Sequence, residues 1–507
     1  MSAIVLASFS ARYQHAAFGL RYLQANLGDL QAGSALLEFD LQKPPAEATA
    51  AILAHAPRIV GLGAYIWNIP QTAALLAALR GAAPGLVLVL GGPEISFESE
   101  THPLTPLADF VLCGEADLAF AGLCRAVLAG HPPGEKILRA PPPDPAHLAL
   151  PYQLYTDHDL ATRFTYLEAS RGCPFGCEYC VSAIERGVRR FALGKILPEF
   201  ERLLARGMRR VKFVDRTFNL DADFGRAVLD LFYAFAEGRA TPPAEPTITD
   251  GSAGRLAPTK EGLQVHLEIT PSCLTPPWRE LLRRAPPGLL RLEVGVQTFD
   301  EAINARIGRQ QSAAAAEDAL RFLRTETGAL IHADLIAGLP GQTLENFAAD
   351  FDRMIRLQPH ELQVGILKRL RGTAIARHDA EWDVRWNPAP PYDLLANQLL
   401  DAATMDRLKR FARFWELLGN RGRFEHTLPL LWSAPGDSPF ARAWKLCDQL
   451  FSKFGKTHGI PLFELAYALF EHLVAGLGFE KARVATALRA DLARSGALHL
   501  PNWLYAP

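Results

Sequence analysis

Net charge, cysteine and long apolar runs are all scarce in this 507-residue chain. Lysine and arginine total 53 against 54 aspartates and glutamates, a formal charge of −1. That balance removes any general attraction to nucleic acid or to an acidic membrane surface. No apolar stretch is long enough to span a bilayer, and the opening MSAIVLASFSARYQH is interrupted too soon for a secretory signal. A soluble, cytoplasmic protein is expected. Seven cysteines form an odd, sparse set, with Cys113, Cys124, Cys273 and Cys447 scattered, which speaks against a disulfide framework. No GxGxxG follows the first apolar run, which counts against a nicotinamide site. What is plentiful is apolar residues, 49% of the chain, enough for more than one domain with its own core.

The remaining cysteines stand together in RGCPFGCEYC, residues 171–180. Cys173, Cys177 and Cys180 have the spacing CxxxCxxC, with Pro174 and Gly176 letting the loop wrap tightly. Three thiolates can hold three irons of a 4Fe–4S cube and leave the fourth open to bind and reduce something. The alternative is a structural zinc site, which normally takes four protein ligands; no partner CxxC or HxxxH occurs elsewhere in the chain. The motif, placed directly after an apolar strand, resembles that of the radical SAM superfamily. The resemblance implies that the open iron binds the amino and carboxylate groups of S-adenosylmethionine, and that Tyr179 sits against its adenine.

Ahead of that loop, residues 3–9, RIVGLGAYI (58–66), VLVLGG (87–92) and DFVLCGE (109–115) read as short buried strands separated by Ala/Leu-rich helical stretches. Strand and helix alternating in this way predict an α/β, doubly wound, Rossmann-like domain over 1–135, binding ligands at its carboxyl edge. The strand ends GLGAYIWN, LGGPE and CGEAD resemble the cobalamin-binding domain found in many radical SAM proteins. The resemblance makes Arg12, Tyr13, His15, Trp67, Asn68, Gly91, Gly92, Glu94, Gly114 and Glu115 candidates for holding a cobalamin. There is no DxHxxG, so the cobalt is expected to lack that motif's histidine; His15 can equally be a loop histidine bonded within its own turn.

A proline-dense stretch, 136–160, reads as a linker. Six strand-like runs then alternate with helices over 161–375: TYLEAS, RVKFVD, QVHLEIT, LRLEVGVQ, LIHADLIAG and ELQVGIL. Six units are fewer than the eight of a closed barrel, so an open, partial (β/α)6 barrel is predicted, with its active site at the carboxyl ends of the strands. The segment 241–258 is expected to be a surface loop. Asp215, in FVDRTFN, is similar in place to the group that meets the methionine ammonium in the superfamily; a helix cap is the other reading. Glu268 and Gln297, on otherwise apolar strands, are candidates for the ribose and carboxylate of S-adenosylmethionine, with salt bridges to Arg291 or Lys212 as the alternative. Gly338, in GLPGQT, resembles the glycine-rich stretch that approaches the adenine.

From 376 to 507 a helical domain is predicted, with Leu408, Phe411, Trp415 and Leu418 on one buried face. Taken together, the resemblance implies a cobalamin-dependent radical SAM enzyme that most simply methylates an unactivated carbon and draws electrons from an external flavodoxin- or ferredoxin-type reductant. Two other outcomes stay open: a cobalamin-binding radical enzyme that rearranges or cyclises its substrate, and a non-catalytic iron–sulfur carrier.

Overall fold

The computed structural model of the chain describes residues 2–238, 262–496 and 499–505; the expected loop 241–258 lies outside the described residues. Short apolar runs ending in glycine or a polar residue form a first sheet of six parallel strands. These are β1 (Ile4–Ser10), β2 (Ser34–Asp40), β3 (Ile59–Gly63), β4 (Val87–Gly91), β5 (Phe110–Cys113) and β6 (Ile137–Arg139). They lie in the order β2-β1-β3-β4-β5-β6, with helices α1 (Phe18–Ala25), α2 (Pro45–Leu53), α3 (Ile69–Ala82) and α4 (Ala119–Leu128) completing the crossovers. One apolar layer gathers Val5, Val60, Leu76 and Leu88; the opposite face gathers Leu6, Ile59, Val89 and Phe120. The strand order turns back between β1 and β3, which opens a crevice at the carboxyl edge there.

Two of these strands escape the sequence-based reading. β2 is an edge strand whose residues are mostly half-buried, so SALLEFD carries too weak an apolar signal. β6 pairs in parallel with β5 although it lies in the stretch expected to be linker. The rest of 136–160 does connect the two sheets, and α5 (Asp157–Thr162) starts on a capping box between Thr156 and Asp159.

The second sheet begins with β7 (Thr165–Leu167). Two short strands, β8 (Ser170–Arg171) and β9 (Arg189–Arg190), then pair antiparallel and clasp the ends of the cysteine loop. The sheet continues with β10 (Arg210–Phe213), β11 (Gln264–Ile269), β12 (Leu290–Gln297), β13 (Leu330–Ala337) and β14 (Glu361–Ile366), in the order β14-β13-β12-β11-β10-β7, all parallel. Between strands run α6 (Leu193–Ala205), α7 (Ala222–Ala236), α8 (Pro276–Arg283), α9 (Glu301–Arg306), α10 (Ala313–Glu326) and α11 (Leu344–Leu357). This is the open six-stranded barrel that the spacing predicts. Its helix-facing side is apolar and fully buried, from Val211 and Leu267 to Leu292, Val294 and Leu335.

The segment after β14 differs from expectation. Residues 376–401 are mostly irregular, with a small antiparallel pair, β15 (Arg385–Trp386) and β16 (Leu394–Ala396), because Pro388, Pro390 and Pro391 cannot continue a helix. Helices begin only at α12 (Ala402–Trp415), followed by α13 (Leu428–Ser433), α14 (Pro439–Phe454), α15 (Leu462–Glu471) and α16 (Lys481–Arg494). Leu408, Phe411, Trp415 and Leu418 are all buried, and the Trp415 indole donates to the Leu362 carbonyl of β14 at 2.7 Å. The C-terminal helices thus extend the barrel's own apolar core. Among the described residues no helix is long and apolar enough to cross a membrane.

A buried charge cluster ties the first sheet to α5. Arg21 donates to Glu38 at 2.9 Å and to Asp159 at 3.2 Å; Arg163 donates to Glu38 at 2.6 Å and to the carbonyls of Tyr13 and His15, both at 2.8 Å. Removing one charge leaves the others desolvated without compensation. Glu38→Gln is therefore expected to lower the unfolding free energy by about 3–5 kcal/mol, read by urea denaturation at neutral pH. A loss within the error of the wild-type value would contradict this account.

Candidate active site and cofactor cavity

The carboxyl edges of both sheets face one another across a cavity of about 490 Å³. Its floor is the glycine-rich ends of the first sheet, Gly63, Gly91, Gly92 and Gly114, and its far wall is the cysteine loop, through Ser170 to Gly172 on one side and Val181 and Ser182 on the other. Glycine is required at the floor. Gly92 has φ +109°, and a Cβ there would stand 2.6 Å from the Ala64 carbonyl oxygen. Side chains of Tyr22, Leu62, Tyr65 and Val89 give the cavity an apolar body, with Glu115, Asp117, Glu168, Arg171, Glu185 and Arg216 as its charged lining.

The cysteine loop is held from several sides. Gly172, at φ +87°, lets the chain turn into the loop, where any Cβ would meet the Gly187 carbonyl oxygen at 2.2 Å. The Cys180 N–H donates to the Cys177 carbonyl, and the Glu178 N–H reaches the Ile307 carbonyl at 3.0 Å. The Glu178 carboxylate is clamped by Arg377 at 2.5 Å and His378 at 2.8 Å, both from the segment after β14. Arg309 donates to the Cys177 sulfur at 3.6 Å and to the Tyr179 hydroxyl at 3.2 Å. Burial pushes the Cys177 thiol up, and the Arg309 guanidinium works against that rise.

All three thiols are free, Cys173 and Cys177 buried and Cys180 half-buried. Three free thiols on one tight loop offer one soft ligand to each of three irons. The donor set therefore fits a three-cysteine cluster.

The candidates for S-adenosylmethionine lie along the rim of the barrel beside this loop. Asp215 follows β10 and is fully engaged: it accepts from the Ala169 N–H at 2.9 Å and the Ser170 hydroxyl at 2.6 Å. It therefore anchors the strand that enters the cysteine loop. Burial raises its carboxyl to about 6, against the pull of those two donors. Glu268, on β11, faces Arg216 at 3.4 Å rather than Arg291 or Lys212. Gln297 ends β12 in the left-handed region, φ +70°, and Gly338 follows β13 at φ +94°, donating its N–H to the Gln342 side chain at 2.8 Å.

The candidates for cobalamin divide in two. Gly91, Gly92, Gly114 and Glu115 line the cavity. Arg12, Tyr13, His15, Trp67, Asn68 and Glu94 are absent from its lining. Arg12 is exposed, and the Tyr13 hydroxyl pairs with His158 at 2.6 Å. The His15 backbone N–H donates to the Arg12 carbonyl within its own turn at 3.0 Å, while its imidazole bonds to the Tyr166 hydroxyl, at 2.5 Å, and stacks on Phe164. Trp67 stacks on Tyr65 at 4.5 Å, and Asn68 is wholly buried, its amide donating to the Phe9 and Gly63 carbonyls. Glu94 accepts from Tyr392 at 2.6 Å and Arg371 at 3.1 Å, tying the first sheet to the post-barrel segment.

Sequence reasoning passes over Arg171. Its guanidinium donates to Glu168 at 3.1 Å within the strand, and across the domain junction to Glu115 at 2.9 Å and Asp117 at 2.8 Å. Arg309 is also missed, since nothing near it in sequence marks it as a neighbour of Cys177.

Because the Asp215 pKa is raised from its ordinary 3.8 to about 6, its contribution to stability is complete below 3.8 and is lost as pH rises through about 6. Asp215→Asn, which stays neutral, should accordingly lose less stability relative to wild type above about pH 7 than below about pH 4. Thermal unfolding of both proteins across that range checks this, and a difference independent of pH would contradict it.

The profile of the radical SAM superfamily matches residues 167–354, and that of the B12 binding domain matches residues 4–124. Among curated proteins, a 2-(S-pantetheinyl)-carbapenam-3-carboxylate methyltransferase of Streptantibioticus cattleyicolor is 29% identical over 204 residues, 34% of this chain and 30% of that protein. An uncharacterised methyltransferase of Pyrococcus horikoshii is 26% identical over 189 residues, 32% of this chain and 41% of that protein. The similarity thus spans less than half the length of these relatives. Among solved structures, the radical S-adenosylmethionine methyltransferase TsrM from Kitasatospora setae superimposes with a TM-score of 0.59 at 17% identity, covering 77% of this chain and 80% of its own. The cobalamin-dependent radical enzyme OxsB, with aqua-cobalamin and S-adenosylmethionine bound, gives 0.60 at 11% identity, covering 98% and 85%. These likenesses concern the fold, and the two profile matches carry the assignment: the chain belongs to the radical SAM superfamily, among the members that place a B12 binding domain ahead of the barrel.

Proposed function

We propose that this protein is a cobalamin-dependent radical SAM enzyme that methylates an unactivated carbon of its substrate. The observation that carries the reading is the single cavity floored by glycine strand ends of the B12 binding domain and walled by the cysteine loop, which puts the two cofactor regions side by side. Cys173, Cys177 and Cys180 would hold the 4Fe–4S cluster, and Tyr179, Asp215, Glu268, Gln297 and Gly338 would serve S-adenosylmethionine at the rim. Gly91, Gly92, Gly114 and Glu115 would face the corrinoid. Held by these residues, the cluster would supply the one-electron reduction of S-adenosylmethionine and the corrinoid a methyl group for transfer.

The chain's own part is positioning and exclusion. Arg309 donates to one ligand sulfur and Asp215 fixes the strand leading to another, so the loop keeps its shape while electrons arrive from an external flavodoxin- or ferredoxin-type donor. The apolar body of the cavity keeps water from a reactive radical. The similarity to two proteins named as methyltransferases supports methyl transfer as the outcome.

Anaerobically reconstituted protein with dithionite and S-adenosylmethionine is expected to release 5′-deoxyadenosine, and the triple Cys→Ala variant at 173, 177 and 180 to release none. Absence of release from wild type would leave only the carrier reading. Methyl-labelled S-adenosylmethionine should pass label to the substrate; 5′-deoxyadenosine formed with an unlabelled product would indicate rearrangement or cyclisation instead.

No histidine is among the residues lining the cavity, and His15 is engaged by Tyr166. Any nitrogen hyperfine lines in the electron paramagnetic resonance spectrum of the cobalt(II) corrinoid are therefore expected to be unchanged in His15→Ala. Lines that persist in wild type and vanish in His15→Ala would overturn this.

A further inference from the structure

The inner face of the barrel is polar where such faces are usually filled by Val, Ile and Leu. Strand register puts the polar groups in adjoining rows. Lys212 lies beside His266, and His266 beside Arg291; Glu268 lies beside Glu293, Glu293 beside His332, and His332 beside Glu361; Asp334 lies one step nearer the mouth, level with Gly295 and Gln363. Most of these charges satisfy one another. His266 meets Glu293 at 2.8 Å, Lys212 meets Glu293 at 3.6 Å, Arg216 meets Glu268 at 3.4 Å, and Arg291 pairs with Glu361.

Two groups are held by ion-pair distance alone. Asp334 is 9% exposed, and among the described residues its Oδ1 accepts no aligned hydrogen bond; both ring nitrogens of His332 are buried and equally without an aligned hydrogen-bond partner. His332 Nε2 stands 3.2 Å from Asp334 Oδ1 and His332 Nδ1 stands 3.7 Å from the Glu361 carboxylate. Burying polar groups in this state costs free energy unless something else satisfies them. Among the described residues no arginine or lysine is paired with Asp334, in contrast to Glu268, Glu293 and Glu361. Burial raises the Asp334 carboxyl and Glu293 on the next strand adds to the rise, while the His332 imidazole beside it works against it.

We propose that Asp334 and His332 form the polar end of the substrate site, and that the substrate carries a protonated amine which donates to Asp334. This rests on the reading of the chain as a radical SAM enzyme whose substrate enters the open barrel. An amine docked at Asp334 satisfies the unused acceptor and leaves the remainder of the substrate directed toward the barrel mouth, where Gln297 and Gly338 end their strands. A substrate that met the barrel only through a carboxylate would instead confront Asp334 and Glu293 with like charge.

The test uses the reconstituted full-length protein and three probes of matched size at equal ionic strength: n-butylammonium, butyrate and butyramide. The ammonium is expected to raise the thermal unfolding midpoint of wild type above the value with either other probe. That advantage should disappear in Asp334→Asn, whose iron content after reconstitution verifies an intact barrel. Equal or greater stabilisation by butyrate overturns the proposal, as does an ammonium advantage that survives in Asp334→Asn. Should the variant not fold, the order of the three probes on wild type still decides. Release of 5′-deoxyadenosine by the same wild-type preparation separates the two claims: release without ammonium selectivity sinks the amine site alone, and ammonium selectivity without release sinks the enzymatic reading while leaving the binding site.

Discussion

The arrangement of this molecule turns on one half-buried guanidinium. Arg171 lies on the short strand that enters the cysteine loop, and it answers to carboxylates from two domains at once: Glu168 from its own segment, Glu115 and Asp117 from the end of the first sheet. Two of its partners, Glu168 and Asp117, are buried, and losing the guanidinium leaves them uncompensated. Arginine suits the place because its planar fork can serve several carboxylates in fixed directions, which a lysine cannot. Docking of the two sheets and the shape of the cysteine loop are therefore one event, since Cys173 follows Arg171 by two residues.

This coupling explains why both sheets can present their carboxyl edges to the same space. An open parallel sheet offers its binding crevice there, and two such edges facing each other would ordinarily be joined only by flexible chain. Here the junction is fixed by Arg171 and Arg189 on one flank, by Arg369 and Arg371 reaching Glu98 and Glu94 on another, and by Arg163 holding the carbonyls of Tyr13 and His15. Each contact joins the first sheet to a segment later in the chain. The cavity between them is lined by Gly91, Gly92 and Gly114 from the first sheet and by the cysteine loop from the second.

Local patterns made much of this legible. The cysteine spacing, the six barrel strands and four strands of the first sheet all show in short windows, because each is an apolar run bounded by glycine or a polar group. The edge strand β2 did not, being half-buried, nor did β6, three residues set among prolines. The helical reading of 376–401 failed for a related reason: Leu394, Leu395, Leu399 and Leu400 suggest a stripe, while the prolines just before them forbid the turn. Partnerships were the least visible. Arg309 and Cys177 are 132 residues apart, and Arg371 and Glu94 are 277 apart, separations that no local pattern encodes. The sequence does show the alternation in LRLEVGVQ, but not which neighbours Glu293 would find, because that depends on the register of β11 and β13.

The polar inner face also constrains where the barrel's stability can come from. A closed barrel gains part of its core from apolar layers inside, and this one has Lys212, Glu268, Glu293 and Asp334 there instead. The apolar burial that holds the strands must then lie on the helix side, where Val211, Leu267, Leu292 and Leu335 are wholly enclosed. At the open edge, β14 has only one strand neighbour, so its outer apolar residues need cover from elsewhere. The C-terminal helices provide it: Trp415 bonds to the Leu362 carbonyl, the Asn420 side chain accepts from the Leu362 N–H, and Phe411 and Phe440 pack on Phe351 of α11. The helices beyond the barrel thus cover its open edge, while its inner face carries charged groups in place of apolar layers.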